Sequence, residues 1–482
     1  MIPHVRSTYL IVAGLLIAGT VACMNVVRAD AGQPPSKPNI ILVFIDDMGW
    51  ADFSCYGNKD AQTPHIDNMA KEGIAFEQFY VNSPVCSPSR VAVSTGMYPQ
   101  RWGIKSYLAH RGKNKHFGMP DWLDPKAPML ARSLKEDGYA TGHFGKWHMG
   151  GQRDVTDAPA ITEYGFDASL TNFEGLGAKL LPMTKTPDGK IGKIWQDAER
   201  LGGPVTWMQR SEITAGFVDA SIKFIEKARQ EGKPFYINVW PDDVHSPFWP
   251  LVEKWGDGSK RAKYLGVLEG MDAQLGTLFK TIRDDRALRE NTLILICSDN
   301  GPEPGAGQAT PFRGVKWQLY EGGIRSPLIV WGPGLMDQTV MGSRNIKSVF
   351  SAMDLVPSLM HLVGATKPTG IGYDGEELLD TLLGKKESSR KEPIFFERPI
   401  GFKEMPMPGF ENQLPDLAMR SGKWKLLCDY DGSRPQLYDL DTDPGEANNL
   451  TEKLAEKTQQ LVRQVTAWHR AISSKGAPEA HD

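Results

Sequence analysis

The sequence predicts an α/β protein: a large, mostly parallel sheet sandwiched by helices, followed by a smaller C-terminal α+β part of antiparallel strands and one helix. Three observations predict it. Continuous apolar runs at 40–45 and 293–296 lack the alternation of a half-solvated strand and read as strands buried on both faces. Stretches of helical period at 212–230 and 264–282 are interleaved with such strands. Beyond about Tyr373 short strands separated by turns replace that alternation. A chain of 482 residues accommodates one large core and an appendage, dividing here into 1–29, 36–372 and 373–482.

The formal net charge of -3 supplies no global attraction for nucleic acid or an anionic membrane, so an anionic ligand must be held by local cations. At the N-terminus, Arg6 precedes an apolar run at 10–22, too short for a stable membrane span and of the length of a signal-peptide core. Val27-Arg28-Ala29 and Ala29-Asp30-Ala31 offer cleavage sites, which predicts export, periplasmic or secreted, with 1–29 as the leader. Val21-Ala22-Cys23 permits the alternative of lipoprotein anchoring through Cys23, although Thr20 departs from the usual leucine. The remaining cysteines, Cys55, Cys86, Cys297 and Cys428, are too sparse for a disulfide framework.

Taken in order, the strand at 40–45 stops at Asp46-Asp47, where open α/β sheets place their ligands. One Asp there is explained by capping the next helix; the second is not. Pro64 opens a helix through about Gly73, and a strand at 76–81 leads to Val85-Cys86-Ser87-Pro88-Ser89-Arg90. Cys86 reads as a buried structural thiol or as a reactive group. A short helix at 91–96 behind it would aim a positive end at this loop. Residues 102–128 read as loop, in which His110 and Arg111 are either solvated or the rim of an anion site. A helix at 129–138 and a strand at 140–144 precede Gly145-Lys146-Trp147-His148, whose Lys146 and His148 point to one side of an extended segment.

Residues 161–203, rich in Gly, Pro and Lys, read as elaborated loop, with Trp195 and, just beyond, Trp207 as sugar platforms or core. The strand at 235–239 runs into Pro241-Asp242-Asp243-Val244-His245, and the strand at 292–296 into Asp299-Asn300. Asp46, Asp47, Asp299 and Asn300 form an all-oxygen set suited to a hard divalent cation such as calcium; no Cys/His cluster suggests zinc. Lys316 is either a solvated lysine or an anion clamp. A strand at 328–331 and a helix at 353–363 close the large part. The strands at 394–397, 418–420, 424–428 and 436–439 and a helix at 454–472 make the small one.

Cys86-Ser87-Pro88-Ser89-Arg90 resembles the Cys-x-Pro-x-Arg signature of the type I sulfatases. The Asp46-Asp47 pair, Gly145-Lys146-Trp147-His148, His245, Asp299-Asn300 and Lys316 resemble further blocks in that family's order. The resemblance implies an alkaline-phosphatase-like catalytic domain over 36–372. It implies that a formylglycine-generating maturation enzyme oxidises Cys86 to 3-oxoalanine (formylglycine), whose hydrate attacks the sulfur of a sulfate ester. Ca2+ would be held by Asp46, Asp47, Asp299, Asn300 and an oxygen of modified Cys86. Arg90 and Lys146 would stabilise the hydrate, and Lys146 and Lys316 would bind sulfate oxygens. His245 would protonate the leaving alcohol and His148 remove a proton from the second hydroxyl. The implied substrate is a sulfated carbohydrate, closest to galactose or N-acetylgalactosamine types, with His110, Arg111, Asp242 and Asp243 as candidate sugar contacts. Alternatives are a phosphate or phosphonate ester hydrolase of the same superfamily, a non-catalytic sulfated-glycan binder if Cys86 stays a thiol, or a structural exported protein.

Overall fold

In the computed structural model, which describes residues 37–401 and 414–474, the first apolar run forms β1 (Asn39–Ile45). Its side chains alternate between two hydrophobic cores: Ile40, Leu42 and Phe44 enter one, Ile41, Val43 and Ile45 the other. A strand without a polar face is stable only where both faces are covered. The expected leader at 1–29 and Cys23 lie outside the described residues.

The chain continues through α1 (Pro64–Glu72), β2 (Ile74–Tyr80), α2 (Cys86–Thr95), α3 (Arg111–His116), α4 (Leu130–Glu136), β3 (Ala140–Gly145) and β4 (Ala168–Leu170). Next come β5 (Lys179–Lys185), β6 (Ile191–Lys193), β7 (Val205–Gln209), α5 (Ile213–Gln230), β8 (Phe235–Trp240), α6 (Lys260–Asp284), α7 (Arg286–Glu290), β9 (Thr292–Ser298), α8 (Glu321–Ile324) and β10 (Arg325–Trp331). The last elements are β11 (Ser343–Ser351), α9 (Leu355–Val363), α10 (Leu379–Leu382), β12 (Ile394–Glu397), β13 (Leu417–Ser421), β14 (Trp424–Cys428), β15 (Gln436–Asp439) and α11 (Ala455–Ser474).

Eight strands form the large sheet in the order β11-β2-β10-β9-β1-β8-β3-β4. β10 alone runs antiparallel to its neighbours β9 and β2, so the sheet is mixed and mostly parallel. Residues of α2, α4 and α9 pack on one face and residues of α1, α5 and α6 on the other. The four-stranded antiparallel sheet β12-β13-β14-β15 carries α11 on one face, through Leu461 and Val465, and meets Tyr80, Tyr320 and Ile324 on the other. The fold is therefore the α/β sandwich with a smaller antiparallel sheet and helix that the sequence predicts.

Four local expectations need correction. The segment at 161–203 is no mere loop: with β7 it supplies a three-stranded sheet, β6-β5-β7. β6 is only three residues long and largely exposed, and β5 carries Pro182 at its centre, which interrupts the apolar pattern. Within 102–128, α3 forms where His110 caps it, the ring Nδ1 accepting from the Lys113 backbone N–H. The helix expected to start at Val91 starts at Cys86 itself. β11, polar over its exposed first half, escaped the sequence reading because its outer edge faces solvent. Cys55, Cys86, Cys297 and Cys428 are all free thiols. Among the described residues no helix is long and apolar enough to cross a membrane.

Candidate active site

Strands β9, β1, β8 and β3 are neighbours and all parallel, so their carboxyl ends share one edge of the sheet. Asp46-Asp47, Asp299-Asn300, Lys146 and Asp242–His245 leave these ends in sequence, and backbone bonds clamp them together. The Asp46 N–H donates to Pro241 O at 3.0 Å, Asp299 N–H to Ile45 O at 3.0 Å, and Lys146 N–H to Trp240 O at 2.9 Å. Asp47 turns out of β1 with a left-handed φ of 58°, its N–H donating to Asp299 Oδ1 at 3.1 Å. Such backbone persists only where its surroundings over-determine it, and it is found preferentially at functional sites.

Carboxylate oxygens of Asp46, Asp47 and Asp299 lie within 4.8 Å of one another, and all three residues are buried. Burial works to raise Asp46, but Lys146, His245 and Arg90 together outweigh it and hold the carboxyl well below its usual range. Burial and then the Asp46 charge push Asp299 well above it. Two buried oxygens remain without a hydrogen bond: Asn300 Oδ1, and Asp46 Oδ1, which sits 3.2 Å from Arg90 Nη2. Crowded acids and orphaned acceptors in an all-oxygen set fit a hard divalent cation.

Cys86 heads α2, and Arg90 follows one helical turn later. The Arg90 guanidinium is fully buried, donating to Asp299 Oδ2 at 2.6 Å and Lys146 O at 3.0 Å, with its face over Trp240. Arg90 thus braces the carboxylates from behind rather than lining the open site. Lys146 Nζ donates to Asp46 Oδ2 at 2.7 Å, and Lys316 Nζ donates to Asp47 Oδ2. Both lysines keep raised pKa values: burial alone would lower them, but Asp46 for Lys146 and Asp47 for Lys316 reverse it.

Cys86, Lys146, His148, His245 and Lys316 line one cavity of about 400 Å³, within the usual range for small-ligand sites. Burial pushes the Cys86 thiol up, so an unmodified thiol stays protonated at neutral pH. Burial likewise brings His148 down to about 4, leaving a neutral imidazole able to accept a proton. His148 Nε2 faces two acceptors, Leu108 O at 3.0 Å and Glu174 Oε1 at 3.2 Å, which places its proton on Nε2 and the lone pair on Nδ1. His245 Nδ1 donates to Ser246 O at 2.7 Å, and Nε2 lies 3.5 Å from Asp47 Oδ2.

The candidate sugar contacts fall elsewhere. His110 is consumed as the α3 cap, and Arg111 pairs with Asp121 and Asp157, so neither lines the cavity. Asp242 accepts from Arg210 Nη1 at 2.6 Å and Asn172 Nδ2 at 2.7 Å, and Asp243 accepts from Thr214. Both are buried, Asp242 paired with the Arg210 guanidinium and Asp243 held by the Thr214 hydroxyl. Arg210 in turn lies under the Trp195 ring at 5.1 Å, so Asp242 buttresses the wall indirectly. Trp195 does line the cavity, whereas Trp207 does not; its Nε1 donates to Glu199. Sequence reading missed Glu174, Phe173, Arg153 and Trp317, which line the same space from loops without a periodic signal.

The family profile described as Sulfatase matches residues 38–365, and that described as N-sulphoglucosamine sulphohydrolase, C-terminal, matches residues 315–471. The chain is 30% identical to an N-acetylgalactosamine-6-O-sulfatase of Bacteroides thetaiotaomicron, over 92% of this chain and 96% of that one. It is 28% identical to human arylsulfatase A over 88% of this chain and 86% of the relative. Among solved structures, Ps i-CgsB in complex with k-i-k-neocarrahexaose superposes with a TM-score of 0.74 at 26% identity, covering 92% of this chain and 94% of that one. A profile match over most of the chain, on the fold and strand-end constellation just described, has one reading: the chain belongs to the type I, formylglycine-dependent sulfatase family of the alkaline-phosphatase superfamily and is a sulfuric ester hydrolase.

Proposed function

We propose that this protein, exported by its N-terminal leader, removes sulfate from a sulfated carbohydrate of galactose or N-acetylgalactosamine type, using Cys86 oxidised to formylglycine and a bound calcium ion. The observation that carries the reading is the convergence of Cys86, Lys146, His148, His245 and Lys316 on one cavity beside three buried aspartates. Resemblance to N-acetylgalactosamine-6-sulfatases, including the human enzyme at 30% identity, favours the sugar type.

Asp46, Asp47, Asp299 and Asn300 are the residues that would hold the ion. When present, calcium neutralises charge on the sulfate and the hydrated aldehyde supplies an attacking hydroxyl, neither of which the buried thiol offers. Lys146 and Lys316 orient the sulfate oxygens and balance charge that grows as the ester bond breaks. The incoming negative charge also offsets the lysine that, after burial, pushes His245 down. With Nδ1 donating to Ser246 O, His245 would deliver a proton from Nε2 to the leaving alcohol oxygen in its doubly protonated form. His148, neutral and with its lone pair on Nδ1, would accept a proton from the second hydroxyl of the hydrated aldehyde.

The test is direct: the Cys86 peptide of protein co-produced with the maturation enzyme is weighed, and sulfate release is measured from sulfated galactose and N-acetylgalactosamine. An aldehyde at Cys86 with calcium-dependent release is expected. An unmodified thiol together with full activity would overturn the mechanism. Faster turnover of an aryl phosphate than of the matching aryl sulfate would overturn the choice of ester.

A further inference from the structure

Glu174 is a carboxylate in a cavity otherwise furnished to receive an anion. It is 4% exposed, and Oε1 is engaged by His148 Nε2 at 3.2 Å, yet Oε2 has no hydrogen-bond partner. The other carboxylate lining the cavity, Glu303, differs: its oxygens are met by Lys260 at 3.1 Å and Lys316 at 3.9 Å. A buried acceptor left without a donor costs free energy unless something in the cavity supplies one. The loop that carries it is built to hold it there. Gly175, at φ 89°, lets the backbone pass Trp147 so closely that a Cβ would meet Ile161 Cδ1 at 2.8 Å and Trp147 Cβ at 3.1 Å. The Gly175 N–H donates to Gly151 O at 2.7 Å, and the Thr171 hydroxyl donates to Glu174 O at 2.5 Å.

Beside Glu174 stands an aromatic wall. The Phe173 and Trp195 rings lie 3.9 Å apart between centroids at 34°, both line the cavity, and Arg210, fixed by Asp242, backs Trp195. An aromatic face next to a hydrogen-bond acceptor is the pairing that recognises an amphipathic ring, apolar on its C–H face and polar at its edge.

We infer that Glu174, with the Phe173–Trp195 wall, is a specificity-determining subsite for the sulfated sugar ring, and that Glu174 Oε2 accepts a hydrogen bond from a free hydroxyl of that ring. The inference rests on the carbohydrate reading above and deepens it. A carboxylate at this position accepts from a hydroxyl and repels a second sulfate, so the preferred ring carries one sulfate and leaves the hydroxyl facing Glu174 unsubstituted. A site that hydrogen-bonds a substrate hydroxyl discriminates strongly against an analogue lacking it.

The experiment takes the matured enzyme and the monosulfated galactose or N-acetylgalactosamine that the wild type turns over fastest. It compares kcat/KM for that sugar, its single-deoxy analogues and 4-nitrophenyl sulfate, which has no ring hydroxyl. In the wild type one deoxy analogue is expected to lose about 10- to 100-fold against the parent sugar, the range of a hydrogen bond to a charged group. In Glu174→Ala the ratio of sugar to nitrophenyl kcat/KM falls by a similar factor, and the penalty of that deoxy analogue disappears. Glu174→Gln, whose amide oxygen still accepts, restores part of the ratio. Parallel loss on sugar and nitrophenyl sulfate, or no deoxy analogue penalised in the wild type, would overturn the subsite while leaving the sulfatase reading intact. Turnover of nitrophenyl sulfate with none of the sugars would overturn both the subsite and the carbohydrate reading.

Discussion

Two of the buried charge clusters among the described residues are built differently. At the carboxyl ends of β9, β1, β8 and β3, Asp46, Asp47 and Asp299 face Arg90, Lys146 and Lys316. Between the large and small sheets, Glu321 and Glu446 face Arg325, Arg420 and Lys425. Glu321 itself is fully paired: Oε2 accepts from Tyr80 at 2.6 Å and Arg325 at 3.2 Å, and Oε1 from Lys425 at 2.9 Å, whereas Glu446 Oε1 stands 3.5 Å from Lys425 without a hydrogen bond. Its backbone N–H donates to Glu446 Oε2 at 2.7 Å. At the strand ends Asp46 Oδ1, Asn300 Oδ1, His148 Nδ1 and Glu174 Oε2 lack a hydrogen-bond partner, and His148 and Glu174 line an open cavity. Charge buried around a fully paired Glu321 fastens two sheets together; charge buried beside an open cavity is arranged for something that arrives.

If this contrast is right, substitutions in the first cluster remove activity and those in the second remove stability. The largest effect is expected for Cys86→Ser, which under the proposed mechanism lacks the second hydroxyl of a hydrated aldehyde. Turnover of 4-nitrophenyl sulfate falls on the order of 10⁴-fold, with a sulfated serine visible by mass and the protein still folded in urea unfolding. Normal multiple turnover in that variant would break the assignment. Next comes Glu321→Ala, which leaves Arg325, Arg420 and Lys425 buried without their acceptor. A loss of about 3–5 kcal/mol is expected in urea unfolding, with activity per folded molecule retained. A loss within the range of a surface substitution would show that the network fastens little.

Calcium sharpens the comparison from the other side. At about 100 times its dissociation constant it should stabilise the native state by about 2.7 kcal/mol, and Asp299→Asn should abolish most of that gain. An equal gain in this variant would place the ion elsewhere. The smallest effect concerns pH. Burial, against the opposing charge of Lys425, raises Glu446 to about 7 in the folded chain from its ordinary 4.5. A raised folded value means its contribution is fully present below the unfolded pKa and is lost as pH rises through about 7. Glu446→Gln should therefore flatten the decline in stability across that window. An unchanged slope would assign the decline to other groups.

Much of this was legible before any coordinates. The strands of the sandwich announce themselves because burial on both faces demands unbroken apolar runs, as in β1 and β9. The acids and cations that follow those runs are conspicuous because strand ends are otherwise cheap places for turns. What escaped the sequence had weak local grammar. β6 is three residues long and exposed, β5 is interrupted by Pro182, and Glu174 sits in a loop next to Gly175 where one acid among many carries no signal. Asp242 and Asp243 follow a buried strand as Asp46 and Asp47 do, yet Arg210 and Thr214 draw them away from the cavity. Nothing near them in sequence tells the two pairs apart.

By itself the sequence determined which segments become buried strands and which residue types stand at their ends, since both follow from local hydrophobic period and the chemistry of short motifs. Tertiary structure alone decided that β9, β1, β8 and β3 lie side by side, that Lys316 reaches Asp47 from 269 positions away, and that Glu174 rather than Asp243 faces the cavity. Strand order and loop packing are set by contacts between distant parts of the chain, and the sum of those contacts is written in no single stretch of it.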